Sequence, residues 1–313
     1  MSQDHSEASP LYATRDAMHE GALSDEGYGM AREHTVRSAD GLGLFVRDYA
    51  PLQPDLGLPV LCLHGLTRNS SDFEVVAPRI AELGRRVIAM DVRGRGRSDW
   101  DATPARYTPL TYAQDAVKVL DQLGVDRAVW LGTSMGGLIT MIAAATTPDR
   151  VEAAILNDIG PVIDPRGIAR ILAYVGKSEP RTTWEDAAAA VANLQGQAFP
   201  GADADFWMTF AKRTFRKRAD GRLELDYDPA ISQPVAPGAP TPDMRPVFKA
   251  LEPIPTLVVR GALSDILSRD GVREMLAIKD DLEVAEVPNV GHAPTLEEPS
   301  AWLPIVDFLA RVN

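Results

Sequence analysis

A serine set among glycines, a histidine near the carboxyl end and an aspartate between them are the residues of this chain whose types and spacing suit acyl-transfer chemistry. Gly132-Thr133-Ser134-Met135-Gly136 follows the pattern G-x-S-x-G, and it lies between the apolar runs 127–131 and 138–145. The first run reads as a strand and the second as a helix, and that context lifts the motif above a chance match. A serine held in a strained strand-to-helix turn exposes its hydroxyl above the sheet. Gly132 and Gly136 then let neighbouring backbone approach without a Cβ clash. The following helix points its N-terminal amides at the negative charge that develops during attack. An ordinary N-cap serine in a glycine-rich turn would carry the same letters. The motif alone leaves both readings open.

A serine hydroxyl becomes a nucleophile only when a base takes its proton and a third group orients that base. The chain has five histidines, of which His5 and His19 lie in the first 30 residues and His34 at the first strand. His292, in Val290-Gly291-His292-Ala293-Pro294, follows the last strand and precedes the last helix. It is the candidate base. The candidate acid is Asp265, in Gly261-Ala262-Leu263-Ser264-Asp265-Ile266-Leu267, just after the strand 256–260. The order Ser134, Asp265, His292 is that of a nucleophile elbow with its partners. Asp158 also follows a strand and is the rival, but it reads as the hinge into an insertion. His64-Gly65-Leu66 follows the strand 60–63. Gly65 would let the chain turn so that the Leu66 amide joins the Met135 amide as an oxyanion hole. His64 then serves structure, by bonding loop backbone.

These residues need a frame that brings distant loops to one edge. Residues 36–38 and 42–49 read as a hairpin, and 60–63 and 87–91 as short apolar strands buried on both faces of a parallel sheet. Helical spacing over 72–83 and 112–123 stops at Gly84 and Gly124. Strands at 128–131 and 152–156 flank a helix at 135–146. Alternation lapses after residue 161, through a stretch with an Ala-rich helix at 185–193 and proline-rich residues 234–246. It resumes with the strand 256–260, the helix 270–277, the strand 282–287 and the helix 300–312. The expected fold class is α/β, a mostly parallel doubly wound sheet with helices on both faces. Its parts are an acidic extension over 1–30, a core over 31–161 and 246–313, and an inserted helical cap over 162–245. Ligands bind such sheets at the carboxyl ends of the strands.

A net charge of -12 argues against nucleic acid or an anionic membrane surface as partner, and leaves small molecules. No apolar run approaches the roughly 20 residues of a membrane span. The first 30 residues have no apolar core of a secretion signal, and the expected location is the cytoplasm. The single cysteine, Cys62, lies in an apolar strand and reads as a structural thiol. Asp91-Val92-Arg93-Gly94-Arg95-Gly96-Arg97-Ser98-Asp99 lacks the phosphate-loop spacing and reads as a tight loop pinned by charge pairs. No dinucleotide fingerprint and no histidine and cysteine cluster is present, so neither a cofactor nor a metal is expected. Oligomeric state is not legible.

As a set, His64-Gly65, Asp91-x-Arg93-Gly94-x-Gly96-x-Ser98, Gly132-Thr133-Ser134-Met135-Gly136-Gly137, Asp265 and Gly291-His292 resemble the α/β-hydrolase superfamily over residues 33–313. The resemblance implies an eight-stranded core with 162–245 as a lid inserted after the sixth strand. It also implies Ser134 as nucleophile, His292 as base, Asp265 as acid and the Leu66 and Met135 amides as oxyanion hole. Members that use an aspartate nucleophile, such as haloalkane dehalogenases and epoxide hydrolases, are disfavoured by Ser134. The expected activity is carboxylic ester hydrolysis. Carbon-carbon hydrolysis of ring-cleavage products, or a non-enzymatic ligand sensor on the same fold, are the alternatives. Among the inserted residues Trp184, Phe199, Phe206, Trp207, Met208, Phe210 and Phe215, most are assigned to the insertion's own core. Trp207, Phe210 and Arg213, with Trp100 from the core, are the pocket candidates. The basic run Arg213, Arg216, Lys217, Arg218 reads as a solvated face, one of whose members could greet a substrate carboxylate.

Overall fold

The structure, a computed structural model, describes residues 30–54, 57–177, 179–234 and 243–312. The first 29 residues and most of the proline-rich stretch, both named above, lie outside the described residues. The chain opens with β1 (Arg32–Arg37) and β2 (Gly43–Tyr49), then β3 (Val60–Leu63), α1 (Val76–Glu82), β4 (Val87–Met90) and α2 (Pro109–Gln122). β5 (Ala128–Thr133), α3 (Met135–Thr146) and β6 (Val151–Asn157) follow. The insertion holds α4 (Pro165–Tyr174), α5 (Trp184–Gln195), α6 (Ala204–Thr214), β7 (Phe215–Lys217) and β8 (Leu223–Leu225). After α7 (Arg245–Phe248) come β9 (Thr256–Gly261), α8 (Arg269–Ile278), β10 (Glu283–Val287) and α9 (Pro299–Arg311).

Eight strands form one sheet in the order β1-β2-β4-β3-β5-β6-β9-β10. The first two pairings are antiparallel and every later one is parallel. β3 and β4 are buried at every position, which is why Val60-Leu61-Cys62-Leu63 and Val87-Ile88-Ala89-Met90 show no polar alternation. Leu61, Leu63, Ile88 and Trp130 face the α2 and α3 side, while Val60, Cys62, Ala89 and Leu131 face α1 and α9. Burial pushes the Cys62 thiol up, as befits a packed rather than a reactive group. β1 starts earlier than the sequence pattern suggests because it is an edge strand whose charged residues face solvent. Among the described residues no helix is long and apolar enough to cross a membrane.

The insertion is not purely helical. β7 and β8 pair antiparallel, with Arg216 opposite Glu224. Strands this short carry too few residues for a two-residue repeat to be read. α4, α5 and α6 start at Asp164, Thr183 and Asp203, each of which accepts a backbone amide of its first turn. A small core of Ala187, Ala188, Val191, Ala211, Phe215 and Leu223, with Trp184, Trp207 and Met208 against it, gives the insertion its own interior. Backbone bonds join it to the sheet's carboxyl edge. The Gly291 amide donates to the Ala198 carbonyl (2.6 Å), the Gly96 amide to that of Asp226 (2.8 Å), and the Asp228 amide to that of Gly94 (2.8 Å).

Candidate active site

Ser134 is the single residue between β5 and α3, and its backbone sits at φ 52, ψ -113. That left-handed conformation turns the chain from strand into helix within one residue. The turn closes only without side chains beside it: a Cβ on Gly132 would overlap the Gly136 backbone, and one on Gly136 the Leu63 carbonyl. The Ser134 amide donates to the Asn157 carbonyl (2.9 Å), fixing the turn against the end of β6.

His292 brings its Nε2 to 2.8 Å from the Ser134 hydroxyl and its Nδ1 to 2.8 Å from Asp158 Oδ2. An ionised carboxylate only accepts, so Nδ1–H donates to Asp158 and Nε2 accepts the Ser134 hydroxyl proton. Asp158 is fully buried. Its Oδ1 accepts the Gly261 amide (2.8 Å), and its Oδ2 also accepts the Ser264 hydroxyl (2.5 Å). Asn157 Nδ2 donates to the Pro294 carbonyl (2.8 Å) and to Thr133 Oγ1 (3.1 Å), tying the histidine loop to the serine turn.

The assignment of the acid to Asp265 is therefore corrected. Asp265 faces the insertion, where Arg170 donates to both its oxygens from Nε (2.6 Å) and Nη2 (2.8 Å). The reason is loop length. Asp158 comes directly after Asn157, which pairs in register with Thr133, and its φ of 57 turns it back over the sheet. Asp265 stands several residues beyond Gly261, the last of β9, and its loop carries it outward to α4. The assignment of Asp158 to a hinge is corrected with it. Arg170 holds the Asp265 carboxyl below the usual carboxylate range against the opposing effect of its burial.

Leu66 and Met135 both border the space at Ser134, and among the described residues neither amide finds an acceptor. His64 supports this loop from below, as its sequence context suggested. Its Nε2 accepts the Val92 amide (3.0 Å), so Nδ1–H donates to the Gly65 carbonyl (2.8 Å). Burial pushes the imidazole down to about 4, so it stays neutral. Arg95, fully buried, donates from Nε to the Leu66 carbonyl (3.0 Å) and from Nη1 to the Tyr112 hydroxyl (2.9 Å). Its loop is pinned by charge, since Arg93 bonds Asp40, Asp101 and Asp115 together. Sequence reasoning passed over Arg95; a buried arginine inside a glycine-rich loop is its only signal.

Two cavities meet at Ser134. One of about 110 Å³ is lined by Ser134, Leu66 and His292 together with Arg68, Arg170, Tyr174, Phe210 and Arg213. The other, about 160 Å³, is lined by Ser134, Leu66, Met135 and apolar side chains such as Leu138, Ile159, Ile168 and Ile266. Phe210 and Arg213 thus stand where the sequence suggested a pocket. Trp207 and Trp100 do not. Trp207 packs edge-on against Phe206 inside the insertion, with ring centroids 5.1 Å apart. Trp100 is 43% exposed under the Arg216 guanidinium, in a separate surface groove. Arg68 and Arg170 carry no motif, and only the fold brings them to the serine.

Residues 59–299 match the family model described as alpha/beta hydrolase fold. The chain is 37% identical over 250 residues to the 3-hydroxybutyrate-oligomer hydrolase of Cupriavidus necator, covering 77% of this chain and 84% of that protein. It is 30% identical to the 2-(acetamidomethylene)succinate hydrolase of Mesorhizobium japonicum, over 74% of this chain and 81% of that one. Among solved structures, an alpha/beta hydrolase from Novosphingobium aromaticivorans superposes with a TM-score of 0.85 at 43% identity, covering 91% of this chain and 100% of that one. With its eight-stranded sheet, its strand order and these likenesses, the chain belongs to the α/β-hydrolase family.

Proposed function

We propose that this hydrolase cleaves carboxylic esters through an acyl-enzyme on Ser134. The observation that carries the proposal is the unbroken chain of hydrogen bonds from Ser134 through His292 to buried Asp158. In this reading His292 takes the serine proton as Oγ attacks the ester carbonyl, and the Leu66 and Met135 amides hold the oxyanion. The C–O bond to the alcohol then breaks, and the alcohol oxygen leaves with the proton from His292. Water attacks the acyl-enzyme and gives its proton to His292, which passes it to Ser134 Oγ as the bond to the acyl carbon breaks, releasing the acid and free Ser134. Asp158 holds the imidazole in the required tautomer and stabilises its cation. The likeness to a hydrolase of hydroxy-acid oligomers, whose units are joined through ester bonds, supports this bond type.

A p-nitrophenyl ester series from acetate to decanoate tests it, with Ser134→Ala as the blank. Ser134-dependent release with a short-chain optimum is expected, because the apolar cavity beside the serine is small. No release from folded protein would favour carbon-carbon hydrolysis or ligand sensing instead.

A further inference from the structure

We infer that the substrate carries a free carboxylate on its leaving-alcohol side and that Arg213, lining the Ser134 cavity beside Arg68 and Arg170, receives it. The inference rests on the ester-hydrolase reading and extends it to a substrate class. Its first support is the placement of His292. The leaving oxygen must take its proton from His292, so the leaving group lies on the histidine's side of Ser134. Of the two cavities described, His292 lines the one that holds the arginines and not the apolar one, whereas Met135 lines the apolar one and not the other. The acyl group therefore enters the apolar cavity, and the alcohol portion extends among the guanidinium groups.

The second support is donor density. Three arginines and one carboxylate, Asp72, line this small cavity, and with Asp265 and Glu297 each guanidinium has one carboxylate partner, so the lining offers a cluster of N–H donors without surplus charge. The third support is hydrogen-bonding capacity. Arg68 is engaged by Asp72 and Thr214 and lies 4.0 Å over the Phe210 ring, and Arg170 is held at both ends by Asp265. Arg213 is less engaged. Its Nη1 donates to Glu297 (3.1 Å), while its buried Nε has no partner among the described residues. A guanidinium with its side chain 14% exposed and a donor unfilled carries a desolvation cost that a carboxylate relieves.

The decisive comparison is 3-acetoxybutanoate against 3-acetoxybutanamide, which differ only in carboxylate for carboxamide at the leaving-alcohol end. The parent protein is expected to favour the acid in kcat/KM by about tenfold or more, the scale of a hydrogen-bonded charge. In Arg213→Gln that ratio is expected to fall towards one, and in Arg216→Gln, which alters the separate groove, to keep the parent value. A ratio near one in a parent that hydrolyses both esters through Ser134 would overturn the carboxylate site and leave the esterase standing. An undiminished ratio in Arg213→Gln would overturn it too, as would an equal loss on both substrates, the mark of an arginine that only pins the insertion. No turnover of either ester by a parent that still hydrolyses p-nitrophenyl acetate would overturn the carboxylate site alone, and no turnover of any of the three would remove the esterase reading, and the inference with it. Should Arg213→Gln not fold, inhibition of the parent's p-nitrophenyl acetate hydrolysis decides the matter. Butanoate must then inhibit competitively at least about tenfold better than butanamide, and equal inhibition overturns the site.

Discussion

Asp158 and Asp265 are both carboxylates in loops at the same sheet edge, and their contacts assign them opposite tasks. The first meets His292 and two further donors from the β9 side, the Gly261 amide and the Ser264 hydroxyl, whereas the second is consumed by Arg170. Asp158→Asn is therefore expected to cut kcat on p-nitrophenyl acetate by about 10⁴-fold, since an amide favours the wrong imidazole tautomer. Asp265→Asn is expected to cost less than about tenfold, a loss no larger than that of a group outside the proton-transfer chain. The reverse ranking, with both variants folded by circular dichroism, would return the acid to Asp265. Ser134 and His292 were legible in sequence because a motif and a loop position single them out, and they stand 2.8 Å apart. Asp158 was not. Which aspartate reaches an imidazole depends on strand register and on a positive φ, and neither is written in the local residue pattern.

At the scale of elements, the turn between β5 and α3 is the tightest point in the site. A Cβ at Gly136 would meet a backbone carbonyl, which cannot swing aside as a flexible side-chain end would. Gly136→Ala is expected to destabilise by about 2 kcal/mol or more, seen as a lowered thermal midpoint together with lost activity. An unchanged midpoint would show that β3 and α3 can separate freely. The sheet was readable from its apolar runs because strands buried on both faces leave little room for polar residues. The insertion was less so. Its β7 and β8 are only three residues each. Such elements are held by their neighbours rather than by their own pattern.

The molecule as a whole carries a pH-dependent seam where the insertion meets the core. Asp226 accepts from Asn69 Nδ2 (3.1 Å), with Arg216 3.8 Å away and Asp91 and Glu224 also facing it. Burial first, and the Asp91 charge second, push its carboxyl up to about 6 from 3.8. A raised acid binds its proton more tightly in the folded state. Its stabilising share is thus complete below about 3.8 and is lost as the pH rises through about 6. Asn at this position does not titrate. Between pH 4 and pH 7.5 the stability of Asp226→Asn relative to the parent is expected to rise by about 2–3 kcal/mol, measured from urea midpoints. A difference that stays constant across that interval would mean the carboxyl is not strained by burial. The same seam bears on how such a protein can diversify. Because the Ala198 carbonyl holds Gly291 beside His292, and the Asp226–Asp228 backbone holds the loop of Arg95, the insertion is part of what aligns the reacting groups. Exchanging it whole for that of a relative would disturb catalysis along with selectivity, so new substrate ranges are open to this chain through single substitutions in the cavity lining rather than through the trade of modules.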